Sequence, residues 1–346
     1  MWKALTTAVV LAATTIGAQA QQPATKINIS VQPALYSLFP IFLGTEKGWW
    51  KAVGLEPTFS SFPAGAPQIA AAAAKTWDVG GTGSVPGVLG ASRFNIKTIG
   101  ITNDESATNA LMARPADAKE INAGPAAALK GKQVLITINS TVDYVLQNCL
   151  KKWGMARSDV QVVNLAQAQI ISAMSSGEGR LMGLWAPNLY TVEERLKGEV
   201  ICTGKDGGAI VPGNLVVRDE FLKENPDAAA KFLAVFLRGV AWIKANRAEA
   251  VVLMDKYYKG DGVTLPPAAH NAEIDRRPMY TLEEQLKLFD RSAGASTVDG
   301  WFKGLGEFVQ SVGTIPSVPE GKTFLDDSIL KRIMADAKLR DFAMGK

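Results

Sequence analysis

The sequence is poor in the residues on which most catalytic and metal sites depend. It contains one histidine, His270, and two cysteines among 346 residues. It has no CxxC or HExxH motif and no acidic cluster at metal-ligand spacing. A Ser-His-acid triad would have to use His270, which follows Pro266-Pro267 in a stretch that we interpret as a surface loop. We therefore expect that the protein is not an enzyme and that it binds neither a metal ion nor a cofactor.

The sequence also lacks a large net charge of either sign. Lys and Arg number 37 and Asp and Glu 33, a formal charge of +4. Because no basic stripe is present, nucleic acid is not an expected partner. Apolar residues make up 47% of the chain, which excludes disorder as the main state and fits two domains or one large one.

The first twenty residues are typical of a secretory signal peptide. Lys3 precedes a small apolar run over residues 5–18, and Ala18-Gln19-Ala20 has the small-x-small form of a cleavage site. The run is shorter than the roughly 18 apolar residues of a spanning helix, although an uncleaved anchor is the alternative. We expect a cut after Ala20 and export to the periplasm.

The two cysteines leave two interpretations open. Cys149 falls in a predicted helix and Cys202 in a predicted strand, and an exported protein meets conditions in which they could pair. A chain of this length can bury enough apolar surface without a disulfide. We favour two buried free thiols.

Strands and helices alternate along most of the chain, which predicts parallel sheets covered by helices. After Asp219 the pattern becomes purely helical. The sequence thus predicts an α/β protein of two lobes joined by two crossings near residues 113–118 and 212–218. Lobe 1 is expected to comprise 21–113 and 218–346, including the helical C-terminal part, and lobe 2 to comprise 114–217.

Two predicted helices begin with small residues after a strand, at Gly83-Ser84 and at Asn139-Ser140-Thr141. An exposed helix N-terminus presents unpaired N–H groups and partial positive charge, so it can hold an anion without lysine or arginine. Taken alone, each motif is better explained by ordinary N-capping, and Ser140-x-x-Asp143 fits a capping box. In open parallel sheets, however, ligands bind where such helices begin.

Other side chains near these loops have two explanations each. Four aromatic residues either line an apolar pocket or pack in the core: Tyr36, Phe39, Tyr144 and Trp185. A polar turn after a strand either meets a cationic group of a ligand or is simply solvated: Asn103, Asp104 and Glu105.

An ordered series of motifs resembles the nitrate/sulfonate/taurine (SsuA/TauA-like) family of periplasmic solute-binding proteins of ABC importers. The series extends over about residues 26 to 250 and comprises Pro40-x-x-Leu43-x-x-Glu46-x-Gly48-Trp49-Trp50, Gly54-Leu55, Phe62-x-x-Gly65, Asp78-x-Gly80-x-x-Gly83-x-x-Pro86, Leu129-Lys130-Gly131-Lys132, Asn139-Ser140-Thr141, Ala173 to Gly177 and Trp185-Ala186-Pro187. The resemblance implies the type II periplasmic-binding-protein fold, with a ligand clamped between two hinged lobes.

The resemblance also implies a set of ligand-binding residues, to which we add Tyr144 as an aromatic near the same loops. By position these are Tyr36, Ser37, Gly83, Ser84, Asn103, Asp104, Glu105, Ser106, Ser140, Thr141 and Trp185. At two positions this sequence departs from the family pattern: Ala186 replaces an aspartate and Asn109 replaces a glutamate. Both changes remove a carboxylate that would hold a ligand ammonium. They argue against taurine itself, unless Asp104 or Glu105 substitutes.

The resemblance therefore implies a monomer that captures a small organic anion, above all an aliphatic sulfonate, and delivers it to an ABC permease in the inner membrane. Nitrate or an aromatic carboxylate is an alternative ligand. A same-fold enzyme of the thiamin-pyrimidine synthase type is an alternative activity, but that type depends on a pocket histidine. A sensor with another membrane partner is the third hypothesis.

Overall fold

The computed structural model describes residues 23–346, so the predicted signal peptide lies outside the described residues. Within residues 23–346, none of the helices has the length and apolar character that a membrane span requires. Ten strands are present in this part of the chain: β1 Thr25–Val31, β2 Leu55–Ser61, β3 Val79–Gly83, β4 Ile96–Asp104, β5 Asn109–Ala113, β6 Gln133–Ile136, β7 Gln161–Asn164, β8 Leu181–Trp185, β9 Glu199–Thr203 and β10 Pro212–Arg218.

Helices cover both sheets, as the strand–helix alternation predicts. Those of the α/β part are α1 Phe39–Glu46, α2 Trp49–Ala52, α3 Gly65–Ala71, α4 Ser84–Arg93, α5 Pro115–Ala123, α6 Pro125–Leu129, α7 Thr141–Lys152, α8 Gln167–Ser176 and α9 Asn188–Arg195. Those of the C-terminal part are α10 Asp219–Glu224, α11 Pro226–Ala245, α12 Arg247–Gly260, α13 Pro267–Arg276, α14 Leu282–Leu288, α15 Thr297–Ser311, α16 Gly321–Phe324, α17 Ser328–Ala335 and α18 Ala337–Ala343.

Each lobe contains one five-stranded mixed sheet. The strand order is β2-β1-β3-β10-β4 in the first and β7-β6-β8-β5-β9 in the second. The expectation of parallel sheets holds for β1, β2 and β3 and for β6, β7 and β8, but β10 and β5 run antiparallel to both of their neighbours. Both exceptions enter their sheet from the other lobe. They therefore need no helical crossover of the kind that joins parallel strands.

The crossings between the lobes lie at different residues from those we expected. Strand β5, expected at the end of lobe 1, pairs with β8 and β9 of the second sheet, and β10 pairs with β3 and β4 of the first. The chain therefore crosses at residues 105–108 and 204–211. The predicted boundary followed the change in composition near Pro115, whereas strand pairing determines the real one.

The two crossings run side by side and form the hinge. The N–H of Glu105 donates to the carbonyl oxygen of Val211 at 2.8 Å, and the N–H of Lys205 donates to that of Ser106 at 2.9 Å. The hydroxyl of Ser106 also accepts from the N–H of Val211 at 2.9 Å. These bonds fix the position of Glu105 between the lobes.

His270 is not a surface-loop residue. It lies in α13 with 3% of its surface exposed, and its ring centroid is 6.0 Å from that of Tyr258. Pro267 occupies the first turn of α13, where the missing N–H of proline is tolerated. The proline pair therefore begins a helix at a place where we predicted a loop.

The expectation of free thiols is wrong, because Cys149 and Cys202 form a disulfide. Both residues are buried in the core of lobe 2, where the bond joins α7 to the edge strand β9. Helix α7 begins at one of the two predicted anion sites. The disulfide thus ties this helix to its sheet.

Replacing both cysteines by alanine is expected to lower the free energy of unfolding by about 4 kcal/mol. The bond closes a loop of 53 residues, and opening that loop increases the entropy of the unfolded chain. Urea denaturation followed by tryptophan fluorescence measures the change. Reduced wild-type protein serves as the control and should match the double variant. Equal urea midpoints for the variant and the oxidised wild type would contradict the prediction.

Candidate functional site

A cavity of about 270 Å³ lies between the lobes, and both contribute to its walls. The first lobe contributes the loop after β1, the start of α3 and the start of α4. The second contributes the loop before α7, the start of α7 and the ends of β7 and β8. The lining residues are Gln32, Leu35, Ala64, Gly65, Ala66, Pro67, Gly83, Pro86, Glu105, Thr137, Ile138, Asn139, Ser140, Thr141, Asn164 and Trp185.

Three helices begin at this cavity. Their N-cap residues are Ala64 for α3, Gly83 for α4 and Ser140 for α7, and no side chain of these residues caps the helix that follows. The first N–H groups of a helix have no partner within it, so each start presents unpaired donors and partial positive charge. None of the lining residues is a lysine or an arginine. The cavity is therefore suited to an anion bound by backbone groups.

Small residues let these helix starts come close together. A Cβ atom at Gly83 would lie 2.8 Å from Cγ2 of Thr141 in the opposite lobe, and one at Gly65 would lie 2.3 Å from Cγ of Pro86. Gly83 has an extended backbone, so the space around it rather than its φ angle favours glycine. A larger residue at position 83 would force the lobes apart.

The start of α7 is arranged differently from the capping box that we predicted. The hydroxyl of Ser140 donates to the carbonyl oxygen of Thr137 at 2.7 Å, and the hydroxyl of Thr141 donates to Oδ1 of Asn109 at 2.7 Å. Asp143 accepts from the N–H of Asn139 and forms an ion pair of 2.7 Å with Arg157. Asp143 therefore leaves the first N–H groups of α7 free for a ligand, but both hydroxyls already have protein acceptors.

The burial of Asp143 affects its ionisation. Burial raises the pKa of this carboxyl, and the guanidinium of Arg157 opposes the rise. The ion pair thus stabilises the charged form of a carboxylate in the first turn of α7.

The structure brings five of the predicted ligand-binding residues to the cavity: Gly83, Glu105, Ser140, Thr141 and Trp185. Trp185 ends β8 and is half-buried at the wall, where its N–H donates to Oε1 of Gln167 at 3.2 Å. Strand-to-helix junctions and strand ends supply all of these residues except Glu105, which lies on the first crossing.

The other predicted residues do not line the cavity. Tyr36 and Ser37 are buried in a 3₁₀ helix. Asn103 is buried within β4, where its Oδ1 accepts from the hydroxyl of Thr102. Asp104 accepts from both the N–H and the hydroxyl of Ser106, which closes the turn at the hinge. Two further residues have other roles: the hydroxyl of Ser84 is buried without a partner in the described residues, and Tyr144 packs against Phe308.

Glu105 is the only charged side chain of the lining, and it belongs to a buried ion network. Its Oε1 lies 2.5 Å from Nη2 of Arg277, whose Nη1 lies 2.6 Å from Oε2 of Glu273. Arg277 is 1% exposed, and its Cζ lies over the ring of Tyr36, 5.2 Å from the ring centroid. Burial raises the pKa of the Glu273 carboxyl, and Arg277 opposes that rise. Arg277 thus pairs with two carboxylates, of which Glu105 lines the cavity.

Sequence reasoning did not identify the start of α3 as part of the cavity wall. The motif Phe62-x-x-Gly65 marks this position, but α3 has no serine, threonine or asparagine at its start to suggest a site. Gln32 was also missed. Its amide donates to Gln68 and Thr82 at 2.8 and 3.2 Å, so the wall behind it is a buried polar network.

Comparison with known proteins gives the same picture. A Brucella abortus (strain 2308) protein, whose name makes it a candidate binding protein, is 26% identical over 285 residues, covering 82% of this chain and 84% of that protein. A Bacillus subtilis (strain 168) protein, whose name makes it a candidate aliphatic sulfonates-binding protein, is 28% identical over 233 residues, covering 66% and 68%.

A solved structure shows the same fold. The alkanesulfonate-binding protein SsuA from Xanthomonas axonopodis pv. citri, bound to MOPS, matches with a TM-score of 0.70 at 17% identity and covers 88% of this chain and 99% of that one. The expected type II periplasmic-binding-protein fold is thereby confirmed. Residues 37–250 match the family described as NMT1/THI5 like, which is more than half of the chain. The chain belongs to the NMT1/THI5-like family.

Proposed function

We propose that this chain is the periplasmic binding component of an ABC importer and captures a small organic anion, with an aliphatic sulfonate as the first expected ligand. It would close around the anion and deliver it to a permease in the inner membrane. The observation that carries the proposal is the convergence of three helix N-termini on one cavity whose lining contains no cationic side chain.

The chemistry of the cavity favours a small anion with several oxygens. Helix N-termini bind anionic groups through N–H donors and partial positive charge. Donors arriving from three directions suit a tetrahedral group such as a sulfonate, whose oxygens also point in several directions. The remaining wall includes Leu35, Ile138 and Trp185, which would contact an apolar tail. The names of the Bacillus and Xanthomonas proteins support the same ligand class.

The alternative activity, a same-fold enzyme of the thiamin-pyrimidine synthase type, requires a histidine in the ligand pocket. His270, the only histidine of the sequence, lies in α13 and is buried against Tyr258 of α12. It is not among the lining residues. Its Nε2 lies 3.8 Å from Asp255, on the side of the C-terminal helices. The arrangement therefore favours binding over catalysis.

Isothermal titration should show binding of at least one anion among alkanesulfonates, aromatic carboxylates and nitrate. Amines of matching size serve as the control and should give no heat, because the helix starts repel a lone cation. Binding of amines together with silence from every anion would contradict the proposal.

Replacing Thr141 by proline should weaken binding of that anion at least tenfold. Thr141 is the first residue of α7 and follows an extended residue, so proline fits the helix while removing one N–H. A hydrogen bond to a charged group is worth about 1.5–3 kcal/mol, which sets this magnitude.

The matched control is Thr141→Val, which keeps the N–H and loses only the hydroxyl that Asn109 already accepts. Titration should give this variant an affinity within about threefold of wild type. Equal affinities for the proline variant and the valine variant would mean that the N–H of residue 141 does not hold the ligand.

Replacing Glu105 by glutamine distinguishes a simple anion from a ligand that also carries an ammonium group. Glutamine keeps a hydrogen bond to Arg277 but removes the only negative charge of the lining. Affinity for a simple anion should rise or stay unchanged, because a like charge is removed. A loss of tenfold or more in titration would show instead that Glu105 binds a cationic part of the ligand.

A further inference from the structure

A further contact between the lobes lies apart from the hinge and involves the C-terminal helix α15. The ring of Tyr144 on α7 packs against that of Phe308 on α15, with centroids 5.5 Å apart. The hydroxyl of Tyr144 would lie 3.3 Å from a Cβ atom at Gly304, one turn earlier on the same helix. The side chain of Tyr144 therefore lies along the surface of α15.

The turn after α15 makes a polar contact with the same region of lobe 2. The hydroxyl of Thr314 donates to Oδ1 of Asn139 at 2.9 Å. Asn139 lines the cavity and adopts a left-handed backbone with φ of 58°, a conformation that asparagine tolerates better than most residues. The carbonyl oxygen of Thr314 meanwhile accepts from Arg93 at the end of α4 in lobe 1. This turn thus contacts both lobes.

Helix α15 packs against α4 of lobe 1. Its start is capped by Ser296, and Asp299 in its first turn forms two bonds with Arg291, of 2.7 and 2.8 Å. These bonds, with those from Ser296, lower the pKa of Asp299 to about 2 although partial burial opposes the change. Phe302 and Leu305 of the same helix are buried in the core. Contacts that α15 makes with α7 therefore join the lobes.

We infer that Phe308 and Thr314 are positioning residues that hold the start of α7 against lobe 1 and so favour the closed arrangement of the lobes. This inference rests on the proposed binding function. Both residues lie beyond residue 250, where the family match ends, and neither lines the cavity. They would act on the ligand only through Asn139, Tyr144 and the position of α7.

The physical basis is the balance between open and closed arrangements. Opening about the hinge would separate Tyr144 from Phe308 and Asn139 from Thr314, so both contacts count toward the closed state alone. The apparent affinity for a ligand falls in proportion to the fraction of molecules in the binding-competent arrangement. An aromatic pair or one hydrogen bond contributes enough to change that fraction a few-fold.

The test compares Thr314→Val, which keeps the shape but loses the hydroxyl, with Thr314→Ser, which keeps the hydroxyl. Phe308→Leu removes the aromatic contact while retaining an apolar side chain. Small-angle X-ray scattering of each ligand-free protein measures the radius of gyration, and titration with an anion that binds wild type measures affinity. Thermal melting verifies that each variant is folded.

We expect a larger radius of gyration and a loss of affinity of about two- to tenfold for Thr314→Val and Phe308→Leu. Thr314→Ser should resemble wild type in both measurements. Scattering identical to wild type in both Thr314→Val and Phe308→Leu would overturn the inference, whatever the titration gives. If no anion binds wild type, the proposed function fails, and scattering alone still decides whether these contacts hold the lobes together.

Discussion

The first peptide N–H groups of a helix have no acceptor within it, and residues at the starts of α3, α4 and α7 all line one cavity. Buried donors of this kind need an acceptor from water or from a ligand, because leaving them unpaired is costly. The other features of the site follow from this requirement. Gly83 leaves room for the helix starts to lie close together, and Asp143 bonds to the N–H of Asn139 and to Arg157.

The fold brings these helix starts together through its connections. β3 leads directly into α4, and the loop after β6 leads into α7, so both starts lie at the carboxyl ends of parallel strands. The two crossings place these sheet edges opposite each other. Glu105 places a carboxylate on the first crossing, and Arg277 of the C-terminal part forms an ion pair with it. The helical C-terminal part thus supports the site from outside the two sheets.

Local features of the site were predictable from the sequence, and long-range ones were not. Gly83 and Ser140-Thr141 are recognisable because a strand, a small residue and a helix follow one another within a few positions. The same reasoning failed for the Cys149–Cys202 disulfide and for the ion pair of Glu105 with Arg277, whose partners are 53 and 172 residues apart. It also failed for His270, since the proline pair that precedes it is compatible with both a loop and a helix start. Which strand pairs with which, and hence where the chain crosses, depends on packing between distant segments.

The most direct test of this account is a crystal structure of the protein with a bound anion that titration has identified. The account predicts the anionic group between the starts of α4 and α7, with its oxygens within hydrogen-bond distance of backbone N–H groups and the apolar part toward Trp185. An anionic group held by lysine or arginine side chains outside this cavity would contradict it.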